Sequence, residues 1–446
     1  MMRPDGTTAA QGPLRIHHPA APDRSALISA SLAAVTMALL LARGMILTPD
    51  GWAYWEGAVS MLAGRGYTYF GGQPIHAFPP AFSALLAVVS AGIGVSGATL
   101  ALVLVGLAAA AAFAWTSVYA RLCGDGPGSG AGKTLIATYV AVCVGGWNQA
   151  LLADTLGIVL LGAVAWWVAR GAAAQAPATT DLIGLAIALV ALVLTRNSGL
   201  AFLPAVVVVL WIGARRASIA RRLAILTAGL LLPLAMAWVI GAALGQTRVR
   251  VVAPGRALYT MSDYAQQLAN GFADLVAHPV LRAGKWLVTT AAVMAFVWAI
   301  APLRAAGDAR ARAALAVAAV GLLGTAALWA LFNLTWVHDE LRGRFLWHLP
   351  LILIGTVAVA SSRAPATRAR RVAILAAWLL VVLEIARVGV TVSGTWTGRR
   401  MMDADLATTI RPDYVDRPPL SLGRSTLVSP PTFPGIDRHY AHPVRR

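Results

Sequence analysis

Lysine is almost missing from this sequence: of its 36 basic residues only Lys133 and Lys285 are lysine, and acidic residues number 18. Charged side chains of every kind make up 12% of the 446 residues, against about 25% in soluble domains. That scarcity excludes a cytosolic enzyme or a disordered chain, since neither could present so apolar a surface to water. Cysteine is scarce too. Cys123 and Cys143 stand apart, with no CxxC spacing or His-rich neighbourhood, which excludes a disulfide framework and a zinc site. No repeat of 20–50 residues and no low-complexity domain interrupts the chain.

What is abundant is apolar. Hydrophobic residues form 58% of the chain, and mean hydropathy is +0.70. They come in runs of about 15–23 residues, the length that crosses ~30 Å of hydrocarbon. The pattern predicts an all-α, polytopic membrane bundle with spans at 25–47, 97–119, 134–147, 154–169, 181–195, 199–213, 223–244, 284–302, 313–332, 345–361 and 372–390. The run at 25–47 is too long for a signal peptide and reads as a retained first span after a basic tail, 1–24. The net charge of +18 comes from arginines clustered between apolar runs. That is a positive-inside pattern and excludes a nucleic-acid binder.

Segment 80–96 is apolar but short, and opens on Pro79-Pro80. If it does not cross, loops 120–133, 170–180, 214–222, 303–312 and 362–371 share the N-terminal side and hold 14 Arg/Lys. The opposite loops are about twice as long in total and hold eight. The charge rule therefore makes 80–96 an interfacial or re-entrant helix. It gives 11 spans, a cytoplasmic N-terminus and an outer C-terminus. The first loop (48–96), a large loop (245–283) and a Pro/Arg-rich tail (391–446) then face outward. The short spans 134–147 and 199–213 suggest tilted or broken helices around a cavity.

Chemistry is densest in TPDGWAYWEGAVSMLAGRGYTYFGGQPIHAFPPAF, residues 48–82. Asp50, Tyr54 and Ala58 recur at i, i+4 and i+8 and share one helical face. Trp52 and Trp55 point elsewhere and suit an interfacial belt. Asp50 at the membrane boundary reads either as a general base or as a helix cap. Asp154, opening the span that follows ALLA, poses the same choice. His76 reads as a sugar or phosphate contact or as a solvated side chain. Arg43, inside the first span, pairs or snorkels. HDE at 338–340 cannot share one helical face and reads as loop. Tyr259, Asp263 and Tyr264 of the large loop could line an acceptor site. GDGPGSGAGKT at 124–134 has the outline of a phosphate-binding loop, but its required first glycine is Pro127 and no strand precedes it, leaving a flexible linker.

Four pieces in order resemble the GT-C membrane glycosyltransferases, the protein mannosyltransferase and aminoarabinose transferase relatives. They are Asp50 with Tyr54 and Leu62-x-Gly64-x-Gly66-Tyr67 before Pro79-Pro80, then Asp154, then TRNSGLAFLPA at 195–205, then RGRFLWHLPLIL at 342–353. The resemblance spans residues 25–360. It implies a polyprenyl-phosphate sugar donor, an acceptor glycan, lipid or protein, and inverting transfer on the outer face of the inner membrane. The candidate catalytic carboxylates are Asp50 and Asp154. The candidate substrate contacts are Tyr54, His76, Arg196, Arg342, Arg344 and Arg43. The family's DxD or DE pair is absent, since Gly51 follows Asp50, so a divalent metal would lack an adjacent second carboxylate. The arginine and alanine bias fits a GC-rich bacterial coding sequence. A transporter or flippase, which would show a two-fold hydropathy repeat, and a non-catalytic envelope protein are the alternatives.

Overall fold

The computed structural model describes residues 23–42, 45–46, 49–69, 72–76, 78–94, 96–126, 128–147, 153–174, 177–245, 260–277, 284–334, 343–393 and 427–428. The chain is a helical membrane protein. Its helices are α1 (Arg24–Leu41), α2 (Pro49–Leu62), α3 (Ala81–Ile93), α4 (Gly97–Cys123), α5 (Ser129–Trp147), α6 (Asp154–Ala173), α7 (Thr179–Thr195), α8 (Phe202–Gly213), α9 (Ile219–Leu226), α10 (Leu232–Ala243), α11 (Met261–Ala277), α12 (Lys285–Ala306), α13 (Ala309–Leu334), α14 (His348–Ser361) and α15 (Arg368–Ser393). Short 3₁₀ turns, Asn197–Ala201 and Gly343–Leu346, precede α8 and α14, and a π turn, Thr227–Leu231, joins α9 to α10. Among the described residues, seven helical stretches are long and apolar enough to cross a membrane, and four shorter apolar helices accompany them.

A helix stands at each of the 11 expected span positions, with differences at their ends. The first span stops at Leu41, not 47, and Met45–Ile46 pairs in parallel with Leu427–Val428. Asp50 therefore lies in the first turn of a separate helix, α2. The expected linker at 124–134 is shorter than it looks, because α5 begins at Ser129. Span 223–244 is a single run, α9–π–α10, whose π turn widens the backbone locally.

Cross-loop contacts fix the course of the chain. Lys133 bridges Asp23, at the start of α1, and Asp125, just beyond α4, at 3.1 and 2.8 Å. The ends of α1 and α4 so joined lie on one side, so α3 makes no net crossing. On that side Arg363 donates to the Leu122 carbonyl (2.8 Å) and pairs with Asp308 (3.3 Å), while Arg312 donates to the Ala173 carbonyl (3.3 Å). Four of the five loops expected on that side thus meet at one end of the bundle.

Packing follows from small residues at helix crossings, the usual solution where lipid offers no hydrophobic gain. Ser29 of α1 donates to the Ala137 carbonyl of α5 and accepts from Thr116 of α4, at 2.9 and 3.0 Å. A Cβ on Gly145 would sit 2.9 Å from the Ala33 carbonyl oxygen. At the centre lies α14, buried on every face from Pro350 to Ser361, as expected of a helix apolar all round.

Candidate functional site

The first loop folds over α2 because glycines permit it. Gly64 and Gly66 adopt φ of 70° and 79°, the left-handed region that favours glycine, and turn the chain back along the helix. Tyr67 then lies against Gly57, where any Cβ would collide with its ring. Its hydroxyl donates toward the carbonyls of Phe78 and Pro79 at 3.1 and 3.3 Å. The Tyr69 amide donates to the Gln73 carbonyl at 2.9 Å, closing the hairpin. Pro79-Pro80 leads into α3, whose Ser83 hydroxyl donates to the Tyr54 carbonyl at 2.8 Å. These contacts hold α2 and α3 as one unit beside the bundle.

The shared face of α2 turns inward. Tyr54 and Ala58 are buried and Asp50 is half-buried. The Tyr54 ring packs on Phe78 and edge-on to Phe82, with centroids 5.3 and 5.2 Å apart. Trp55 is the exception to the expected interfacial belt: it is 1% exposed, among the largest fully buried side chains. It belongs to the main hydrophobic core of the bundle, which helical spacing alone does not reveal. The side chain of Trp52 lies outside the described residues.

Asp154 opens α6, but it is not the cap. The residue before it, Ala153, occupies that position without a side-chain bond. Asp154 forms instead a buried ion pair with Arg196. Arg196 sits in extended backbone between α7 and the Asn197–Ala201 turn, and the Gly199 amide donates to its carbonyl at 2.9 Å. Its aliphatic stem crosses Gly157, where a Cβ would stand 3.2 Å from Cδ. Its guanidinium lies 5.0 Å from the centroid of the Phe345 ring, a cation–π contact.

These pieces converge on Tyr54. Burial, and after it the negative charge of Asp50, hold its hydroxyl well above the ordinary tyrosine value, with Tyr67 and Asp154 acting in the same direction and Arg196 against them. Asp50, Tyr54, Asp154 and Arg196 are therefore one electrostatic neighbourhood, drawn from α2, α6 and the end of α7. The phenol is neutral and can donate a hydrogen bond at any ordinary pH.

Of the remaining candidates, His76 is exposed. Arg344 belongs to the same 3₁₀ turn as Phe345, and its side chain is not described; Arg43 and Arg342 lie outside the described residues, as do Tyr259 and residues 338–340. Asp263 caps α11 with Thr260 and is exposed. Tyr264 is buried, its hydroxyl donating to the Thr325 carbonyl. Sequence reasoning missed His348, whose Nε2 lies 2.8 Å from the Thr325 hydroxyl. That hydroxyl already donates to the Gly321 carbonyl at 2.8 Å, so Nε2 carries the hydrogen. It also missed Phe345. Among the described residues no group of three or more His, Cys, Asp or Glu side chains is placed to hold a metal ion.

An apolar groove of about 750 Å³ runs beside this cluster. Leu182, Ile183, Ala186, Ile187, Val190, Ala191 and Leu194 of α7 form one wall, and Ala224, Ala228, Leu232 and Met236 of the α9–α10 span form the other. Ile183 and Ile187 are 55% and 65% exposed, so the groove opens outward from the bundle. From Leu182 to Leu194 it extends about 18 Å along the helix. It ends two residues short of Arg196, against Ala81 of α3, whose neighbour Phe82 carries Tyr54.

No protein-family model matches the chain, and no curated protein does. Among solved structures it is similar to an archaeal oligosaccharyltransferase, AglB from Archaeoglobus fulgidus, in complex with an inhibitory peptide and a dolichol-phosphate. The TM-score is 0.49 and identity 12%, over 83% of this chain and 55% of that one. The chain thus spans about half the length of this neighbour.

Proposed function

We propose that the protein is an integral membrane glycosyltransferase of the GT-C type, moving a sugar from a polyprenyl-phosphate carrier to a cell-envelope acceptor. One observation carries this reading: an outward-open apolar groove along α7 ends at a buried cluster of carboxylates, a phenol and a guanidinium. A substrate that joins a long isoprenoid tail to an anionic phosphate and a polar sugar matches that sequence of environments. The tail lies along α7, and the phosphate reaches the end of the groove, where Arg196 stands.

In this reading residues 25–390 form the catalytic unit, between the tails 1–24 and 391–446. The positive-inside rule puts the arginine-rich end in the cytoplasm and the cluster at the outer face of the inner membrane. Asp50, half-exposed at the mouth, takes the proton of the acceptor hydroxyl as its oxygen attacks the anomeric carbon, a role worth roughly 10²–10⁴-fold. The bond from that carbon to the phosphate oxygen breaks, and the carrier leaves as an anion. Arg196 stabilises the developing charge, and Asp154 holds Arg196 in place. Tyr54 donates a hydrogen bond to the phosphate or the sugar. Single displacement inverts the anomeric centre. Arg344 remains a candidate second phosphate contact.

The test is sugar transfer in membranes supplied with polyprenyl-phosphate sugars, comparing wild type with Asp50→Asn. Transfer by the wild type and its loss in the variant support the reading. Equal transfer by both removes Asp50 as base, and absence of transfer with every donor tried removes the enzyme.

A further inference from the structure

The apolar groove has a second end. Thr179, the first residue of α7, lines it, and from Thr179 to Leu194 the groove runs about 22 Å along the helix. Half of a ~30 Å hydrocarbon core is about 15 Å, so the groove passes the midplane and reaches the leaflet of the arginine-rich loops. A donor held by its phosphate at Arg196 brings only hydrocarbon to that far end.

A guanidinium stands there. Nη1 of Arg221 donates to the Thr179 hydroxyl at 3.4 Å. Arg221 also shares a face of α9 with Ala224 and Ala228, at i+3 and i+7, and both alanines line the groove. Contact and helical register thus agree in putting Arg221 at the mouth. Among the described residues no carboxylate pairs with it. Asp181, the acid in the first turn of α7, engages Arg170 at 2.9 Å and the Ala178 amide at 3.2 Å. Arg222, next along the chain, points elsewhere and donates to the carbonyls of Ala214 and Arg215.

The groove faces lipid up to this mouth. Thr179, Ile183 and Ile187 recur every four residues, are exposed, and line the groove together, so the residue that Arg221 touches heads a lipid-facing stripe. Arg221 therefore lies where a headgroup of that leaflet meets the hydrocarbon, with an apolar channel leading away from it. A guanidinium beside a hydroxyl suits a phosphodiester, and the channel suits an acyl chain. Basic pockets between helices on the cytoplasmic side recognise anionic lipids by this combination.

We propose that Arg221 and Thr179 hold the phosphodiester of an anionic glycerophospholipid of the cytoplasmic leaflet, with an acyl chain in the inner part of the groove, beside Ile183 and Ala224. The site shares the groove with the proposed donor tail but takes its headgroup at the opposite end, and it does not depend on the transfer activity.

The experiment uses the full chain purified in a neutral detergent. Binding of phosphatidylglycerol and of phosphatidylcholine with identical acyl chains is measured by native mass spectrometry, with no sugar donor present, so the result is separate from that of the transfer assay. The wild type binds phosphatidylglycerol preferentially, and Arg221→Gln lowers that preference by about fivefold. The control Arg215→Gln removes the same charge from an exposed side chain of the α8–α9 loop and keeps the preference. Equal loss in both variants means general surface charge and overturns the site, as does no loss in either. Glycerol phosphate competing as well as the lipid would mean a free-anion site and also overturns the proposal. Ala224→Phe, which fills the inner groove, lowers phosphatidylglycerol binding while leaving Arg221 in place. Should Arg221→Gln fail to fold, this variant carries the test, and unchanged binding overturns the proposal.

Discussion

Arg196 and Asp154 meet as an ion pair between the end of α7 and the start of α6, with side chains 16% and 4% exposed. Neither partner has much water to fall back on. Removing one strands the other, and breaking a buried pair in that way costs about 3–5 kcal/mol. Asp154→Ala should lower the thermal midpoint in detergent steeply, whereas Asp154→Leu with Arg196→Met should cost far less than the two single changes added together. A double variant as damaged as that sum would mean the pair is not coupled.

Gly157 should belong to the same unit. Its missing Cβ leaves the path for the Arg196 stem, so Gly157→Leu displaces the arginine from Asp154. In a double-mutant cycle Gly157→Leu and Asp154→Ala should be strongly non-additive. Simple addition would show that the stem has another route.

At Gly57 the constraint is a ring. Tyr67 is tied by its hydroxyl to the Phe78 and Pro79 carbonyls and cannot retreat from a new methyl group. Gly57→Ala should cost about 1–3 kcal/mol through overpacking. Limited proteolysis should then cut the 64–80 hairpin faster, and Tyr67→Ala should relieve the clash while leaving the hairpin loose.

Acid should loosen the arginine-rich end. Burial opposes ionisation of Asp308, but the Ala311 amide and Arg363 outweigh it and hold the carboxyl below its ordinary value. Burial likewise works against Asp23, and the Ser25 bonds and Lys133 outweigh it. A lowered folded-state pKa stabilises above the unfolded value, near 4, and that contribution disappears as pH falls through the folded value. Asp23→Asn with Asp308→Asn should therefore be less stable than wild type at pH 6, with the two curves converging toward pH 3. Curves that stay parallel would mean these carboxylates do not carry the pH dependence.

Sidedness can be read directly. Single cysteines at Asp125 and Gln266, in a background lacking Cys123 and Cys143, should be labelled from opposite sides of the membrane by an impermeant thiol reagent. Labelling from the same side would mean that the five crossings assigned between them are miscounted.

Much of the architecture was legible in the residues. Apolar runs locate helices because each must satisfy its backbone within itself in lipid, and arginine counts placed the α3 segment, which charge can sort without any contact. The face carrying Asp50, Tyr54 and Ala58 followed from spacing alone. What was not legible depends on contacts between distant segments. Trp55 looked interfacial because nothing local announces the core it joins. Asp154 read as a catalytic acid or a cap and not as half of an ion pair, because its partner is 42 residues away. Phe345 carried no signal apart from the arginines beside it, and His348 appeared to be one more residue of an apolar helix.

The π turn at Thr227–Leu231 has a mechanical corollary. It interrupts the α9–α10 span where Thr227, Ala228 and Leu232 line the groove, so that wall holds one more residue in its coil than an unbroken spiral would. Tightening the coil by that residue rotates everything beyond it by about 100°, sweeping Leu232 and Met236 around the axis while α7 stands still. A single re-coiling step of this kind would reshape the channel from one side, with no other rod of the bundle having to slide.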